Sequence, residues 1–152
     1  MTACAQRDST TPGSSRSGRG EGWVVAQLVL FVLIGASWFA GPGVTRLGFL
    51  VAALGLGLGV WAGWTMGPSL SAFPRPPRHA ELVDRGPYRY LRHPIYVGGV
   101  LFFAGLSLVF SVWALVLTAL LAAFWIAKAR LEERHLVARF PEYADYRRKT
   151  LF

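Results

Sequence analysis

Two short stretches hold most of the side chains that could bind or react in an otherwise apolar chain. The first is Gly86-Pro87-Tyr88-Arg89-Tyr90-Leu91-Arg92-His93-Pro94-Ile95-Tyr96-Val97-Gly98. It is aromatic and basic, two prolines stiffen it, and it leads into an apolar run that meets no charged side chain before Lys128. The second is Glu132-Glu133, on the far side of that run. Ionisable groups set against membrane-length apolar segments are expensive and mark functional sites by default. The expectation is that the two stretches form the halves of one binding pocket at a membrane surface.

The chemistry open to these residues is limited. Proline is tolerated in a first helical turn, and it biases the preceding residue away from helical geometry. Pro94 should therefore aim the His93 imidazole sideways from the helix that follows. The alternative is that His93 only caps that helix while Arg92 reaches for lipid phosphate. Adjacent helical residues lie about 100° apart, so one of Glu132 and Glu133 should face inward and the other meet water. Pairing with Lys128, Arg130 or Arg134 along the helix is the competing explanation. Glu132-x-x-His135 has the spacing of one half of a di-iron site, but no second such pair exists. His79, His93 and His135 lack zinc spacing. Neither a phosphate-binding loop nor a dinucleotide fingerprint is present, so no metal is expected.

Composition says what holds these residues. Charged residues make up 16% of the 152, against about 25% in soluble domains. Arg46 is the only charged side chain between Gly22 and Ser71, and there is none from Val97 to Ala127. Such runs read as membrane helices. The net charge of +8 does not point to nucleic acid, because the arginines flank apolar spans and do not line a soluble face. Cys4 is the only cysteine, which excludes an internal disulfide or a cysteine metal cluster.

The elements follow in order. Residues 1–21, rich in Ser, Thr, Gly and Arg, read as a disordered tail and not as a signal peptide. The remaining 22–152 form one membrane domain. A first span is expected over 23–40, closed by Gly41-Pro42-Gly43. A second is expected over 47–66, where Gly55, Gly59 and Gly63 lie on one helix face and should let another helix approach closely. Residues 67–94 form a proline-rich connection too long to be only a link. The 33 apolar residues from Ile95 to Ala127 would make a helix of roughly 50 Å, too long for one crossing. They should form a hairpin of spans 95–109 and 112–130, turning near Ser107–Ser111. The last helix should continue into water to about Pro141, and residues 142–149 should form a short amphipathic helix.

The fold class is therefore all-α and integral to the membrane, with about four transmembrane helices, a helical hairpin in the C-terminal half and a short cytoplasmic C-terminal helix. Lys plus Arg number 3 before the first span, 1 in the first turn, 5 in the middle connection, 0 in the hairpin turn and 7 from Lys128 onward. Heavy and light segments alternate, so both termini and the middle connection are expected in the cytoplasm.

Leu82-Val83, then Gly86-Pro87-Tyr88, then Arg92-His93-Pro94-Ile95-Tyr96-Val97-Gly98, an apolar hairpin, and Glu132-Glu133 followed by Leu136, Phe140, Tyr143 and Tyr146 together resemble the isoprenylcysteine carboxyl methyltransferase family. Related membrane methyltransferases act on phospholipid amines. The resemblance spans about residues 80–152. It implies S-adenosyl-L-methionine as cofactor, held at the cytoplasmic ends of the helices by Leu82, Val83, Tyr88, His93, Pro94, Ile95, Tyr96 and Glu132. It implies an amphiphilic or lipidic acceptor, met by Lys128 and Arg92. Lys128 stands where the prenylcysteine enzymes have an Arg, which loses the bidentate fork, and Phe140-Pro141-Glu142-Tyr143 is one residue shorter than the family's common form. Two other readings fit the same membrane pattern. One is an NADPH-dependent reductase of the sterol-reductase type, from which Pro94 and Gly99 depart. The other is a membrane subunit without catalytic activity, whose polar residues hold lipid headgroups or a partner.

Overall fold

The structure, a computed structural model, describes residues 18–71 and 82–152. The expected tail up to residue 17 lies outside these residues, as does the part of the connection that carries Arg75, Arg78, His79 and Glu81. Five α-helices follow in order: α1 Gly18–Ser37, α2 Gly48–Met66, α3 Pro94–Phe110, α4 Trp113–Arg139 and α5 Tyr143–Lys149. Short 3-10 turns occupy Gly67–Ser69 and Gly86–Arg89. Among the described residues there is no strand, only an isolated parallel bridge between Leu91 and Leu151. The described residues are thus all-helical in their regular structure. Helix α1 starts at Gly18, so the end of the expected tail is already helical.

Two helices are long and apolar enough to cross a membrane, α2 with the turn after it (Gly48–Ser69) and α4. The apolar part of α1, Glu21–Ser37, and helix α3 are shorter. Helix α1 stops at Ser37, where the serine hydroxyl donates back to Ile34 O at 2.7 Å, and the backbone turns over residues 38–40. The 17 residues of α3 rise about 25 Å, below the roughly 30 Å hydrocarbon thickness. The 27 residues of α4 rise about 40 Å and overrun it, which carries Lys128 and the glutamates toward the surface.

Helices α2 and α3 pack closest, through small residues, but not along the glycine face expected. A Cβ on Gly98 would lie 2.7 Å from Gly55 O and from Gly59 N. Gly48, Ala52, Gly55 and Gly105 complete the seam, each glycine facing backbone of the other helix. Gly59 and Gly63 have open space where a side chain would go. The true stripe is Gly48-Ala52-Gly55, drifting around the helix because 3.6 residues per turn do not match a strict four-residue repeat.

The turn between α3 and α4 falls at Ser111–Val112, the late edge of the expected window. Across it, Ser107 Oγ and Thr118 Oγ1 lie 3.1 Å apart in a buried pair. The turn also holds the α1–α2 connection. Val44 N and Thr45 N donate to Leu108 O at 2.7 and 3.0 Å, and Val112 N donates to Pro42 O at 3.2 Å. Gly43 is required there because any Cβ would collide with Val109 O. This end of the bundle is tied backbone to backbone. The opposite end, where α2 and α4 finish and α3 begins, is left for side chains.

Candidate functional site

The 3-10 turn Gly86–Arg89 starts at a glycine with φ of +58°, a conformation that side chains disfavour. It drops Tyr88 into a buried position against the end of α2, where Tyr88 Oη donates to Met66 Sδ at 3.7 Å. His93 follows with φ −127° and ψ 57°, outside helical geometry, and Pro94 opens α3. The imidazole therefore leaves the helix sideways and stacks on Tyr96, with ring centroids 5.6 Å apart and planes at 11°. Tyr96 in turn stacks on Trp125 of α4 at 5.3 Å and 16°. Trp125 can come this close because Gly99 presents no side chain, and a Cβ there would meet the indole at 2.5 Å.

Both glutamates face this array, so the expectation that one would meet water is corrected. Glu132 Oε1 accepts the Tyr96 hydroxyl at 2.7 Å. Glu133 Oε1 accepts Arg92 Nε at 2.7 Å and lies 3.4 Å from His93 Nε2. The 100° between the glutamates is absorbed because α3 covers one side of α4 and the C-terminal segment covers the next. That segment is strapped across Arg92. Arg92 Nη1 donates to Thr150 O at 2.7 Å and Arg147 O at 3.2 Å. The Arg92 backbone N–H reaches Leu151 O at 2.8 Å, and Leu151 N donates to Tyr90 O at 2.8 Å. Tyr146 Oη donates to Tyr88 O at 2.7 Å.

These groups surround a cavity of about 680 Å³, within the range of roughly 300–1,000 Å³ usual for small-molecule sites. Leu82, Val83, Tyr88, Arg92, His93, Ile95, Tyr96, Lys128 and Glu132 all line it. Pro94 does not; it is buried as the first residue of α3. Arg92 lines the cavity but spends its hydrogen bonds on Glu133 and the C-terminal segment. Tyr143 and Tyr146 also line it despite the shortened segment before them.

The sequence reading passed over Gln27, Phe31 and Trp125, which line the cavity from α1 and α4. Gln27 Oε1 accepts Trp125 Nε1 at 3.1 Å and Lys128 Nζ at 3.3 Å. It is the one amide side chain between Trp23 and Ala40, and a polar group in such a segment is the signal that would have found it.

Tyr143 Oη, a buried polar atom of the cavity wall, makes no hydrogen bond, whereas the nearest acceptor to buried His93 Nε2 is Glu133 Oε1 at 3.4 Å. Buried polar groups are normally satisfied, so a bound molecule is a natural partner for Tyr143 Oη. Burial pulls the His93 pKa below its ordinary 6.5, with Glu133 opposing it, so the ring is neutral at pH 7. Burial pushes the Tyr88 and Tyr143 phenols well above their usual range and that of Tyr146 up to about 12, so all three are protonated donors. Among the described residues no three His, Cys, Asp or Glu side chains gather as a metal site.

Residues 44–143 match the phospholipid methyltransferase family, and this stretch includes the cavity wall from α2 to Tyr143. The chain belongs to that family. Its members are membrane methyltransferases related to the isoprenylcysteine carboxyl methyltransferases. Over 75 residues this member is 39% identical to the cobalt-zinc-cadmium resistance protein CzcN of Cupriavidus metallidurans, a match covering 48% of this chain and 35% of that protein. It is 37% identical over 75 residues to the nickel-cobalt-cadmium resistance protein NccN of Alcaligenes xylosoxydans xylosoxydans, with the same coverage. The match thus spans about a third of the length of these curated relatives. No solved structure matches the chain.

Proposed function

We propose that this family member is a multi-pass membrane methyltransferase that uses S-adenosyl-L-methionine and acts on an amphiphilic or lipidic small molecule. The observation that carries this reading is the cavity between α2, α3, α4 and the C-terminal segment, whose wall joins an acidic group, stacked aromatic rings and the unsatisfied buried hydroxyl of Tyr143. That set fits the cofactor. Glu132 is a carboxylate for its ammonium end. Tyr143 Oη is a buried hydroxyl with no hydrogen bond in the cavity wall, and the His93 ring adds a polar aromatic face beside it. The faces of Tyr88 and Tyr96 suit a sulfonium, since cations are attracted to aromatic rings by roughly 0.5–2 kcal/mol. Leu82, Val83 and Ile95 add apolar surface for an adenine.

When bound, the cofactor supplies an already activated sulfonium methyl group. The protein's work is then to hold and orient, and orientation alone is worth about 7–11 kcal/mol in favourable systems. The stack His93–Tyr96–Trp125 is a rigid wall for that purpose, fixed at one end by Glu132 and at the other by Gln27. Phe102, Phe103 and Phe31 add apolar lining, which favours exclusion of water from a bound molecule. In this reading all four apolar helices cross or enter the bilayer, the short ones through local thinning. Both termini face the cytoplasm, as the distribution of Lys and Arg favours.

The test is calorimetric titration of S-adenosyl-L-methionine, and separately NADPH, into detergent-purified protein with helicity verified by circular dichroism. The expected result is micromolar binding of the first, lost in His93→Ala. Binding of NADPH alone, or of neither by folded protein, would overturn the reading.

A further inference from the structure

The stack of Tyr96 on Trp125 has two sides. One lines the cavity. The other lines a separate apolar groove of about 240 Å³ between α3 and α4. Leu101 of α3 and Ala122 and Ile126 of α4 form the groove's flanks. Phe152 closes the end nearest the cavity, with its ring 5.6 Å from that of His93. Helix α1 packs on another side of α4, through Ile34 and Leu121, and α2 lies against the glycine face of α3. Leu101 and Ile126 are left exposed along the groove.

The depth of the groove in a bilayer follows from α4. Trp113, an exposed ring at its start, suits one membrane interface. At 1.5 Å per residue, Ala122 and Ile126 stand about 14 and 20 Å beyond it, inside a hydrocarbon layer of roughly 30 Å. Arg130 and Arg134 continue the same four-residue row at about 26 and 32 Å, where that layer ends. Both are exposed, and among the described residues neither makes an ion pair. An apolar groove at acyl-chain depth thus leads up to two available guanidinium groups at head-group depth.

We infer that the groove holds one acyl chain of an anionic phospholipid whose phosphate meets Arg130 and Arg134, and that this resident lipid supports the Tyr96–Trp125 wall from outside. It is distinct from the acceptor, because the ring stack stands between the groove and the cavity. The groove alone would not select a lipid, since acyl chains are as apolar as the side chains they meet. Selection comes from the head. Guanidinium groups pair with phosphate through parallel N–H donors, and each basic residue at a membrane surface favours anionic lipid by about fivefold. A choline head sets its own cation beside the phosphate, which the two arginines oppose.

The test is native mass spectrometry of the full-length protein from a neutral maltoside detergent, titrated with dioleoylphosphatidylglycerol or with dioleoylphosphatidylcholine. One phosphatidylglycerol should be retained about five- to twenty-five-fold more tightly than phosphatidylcholine, the worth of one or two arginines. Arg130→Gln should lower that preference by about fivefold. Arg46→Gln, an equal loss of charge at the other end of the bundle, should leave it unchanged. Ala122→Phe should fill the groove and displace the lipid, and Leu101→Trp should do so from α3 if the first variant does not fold. Glycerol phosphate, which has the charge and no chain, should not compete. Phosphatidylglycerol should also tighten S-adenosyl-L-methionine binding in the unmodified protein and not in the filled variant. Equal retention of the two lipids, equal losses in Arg130→Gln and Arg46→Gln, competition by glycerol phosphate, or lipid retained in a folded filled variant would overturn the site. Cofactor affinity indifferent to the lipid would overturn its supporting role. The mass-spectrometric measurements need no cofactor, so failure of the methyltransferase reading would not mimic failure of the lipid site.

Discussion

Replacing Gly55 and Gly59 in turn by alanine should have opposite effects on stability, although the two glycines are one helical turn apart on the same helix. At Gly55 the added methyl would lie 2.6 Å from Gly98 O and 2.9 Å from Leu101 C, both backbone atoms of α3. Neither can rotate away, so α2 and α3 must separate. Overpacking of this kind costs typically about 1–3 kcal/mol, offset by roughly 0.5–1 kcal/mol from the better helix propensity of alanine. At Gly59 nothing lies within 4 Å of the added atom, so only the propensity gain remains. The two variants should then differ by about 1–3 kcal/mol. At roughly 2–4 °C per kcal/mol for a chain of this size, that is a gap of about 2–12 °C in Tm. Thermal scanning in one detergent, with both variants side by side, reads the difference directly. Equal melting temperatures, or a less stable Gly59→Ala, would refute the assignment of the α2–α3 seam. Gly59 also lines the cavity, so Gly59→Leu should fold normally yet obstruct ligand binding.

Three more outcomes follow from the site. Glu132→Gln keeps the shape and the Tyr96 contact but removes the charge, and should weaken S-adenosyl-L-methionine by about ten- to a hundredfold in calorimetry; unaltered affinity would remove Glu132 from the pocket. Glu133→Gln breaks the ion pair to Arg92 that holds the C-terminal segment, so amide exchange over residues 147–152 should accelerate by about tenfold or more, while α2 and α3 stay protected. The buried His93 has its folded pKa below the ordinary 6.5. Its neutral form is favoured by folding, so its contribution is complete above pH 6.5 and lost as the pH falls below it toward the folded value. Denaturation between pH 5 and 7 should therefore show stability falling with acid, and His93→Gln should flatten that slope.

The residues of the Gly86–Gly98 stretch were legible in the sequence because their setting is abnormal. Arginines, tyrosines and a histidine beside a long uncharged run have few structural uses, and Pro94 fixes the direction of His93 locally. Glu132 was legible for the same reason. Other features were not local and could not be read. Whether Glu133 meets water depends on the C-terminal segment lying over it, which α4 alone does not specify. Which glycines of α2 touch α3 depends on the crossing of two helices, and the four-residue repeat of Gly55, Gly59 and Gly63 gave the right partners but the wrong continuation. The end of the first span was placed three residues late because Trp38, Phe39 and Ala40 are apolar yet belong to the turn.

Gln27 has a further consequence. Helix α1 touches α4 and contributes a polar group to the cavity from outside the family-matched stretch. The family stretch, α2 through Tyr143, already contains Glu132, His93, Tyr88 and Tyr96. The proposed cofactor contacts lie within the matched stretch, whereas α1 adds Gln27 and Phe31 to the cavity from outside it. Exchange of α1 alone should then alter which amphiphile binds and leave cofactor affinity in place. A chimera carrying the corresponding first helix of another family member, assayed for both, would show the two properties moving together if this division were wrong.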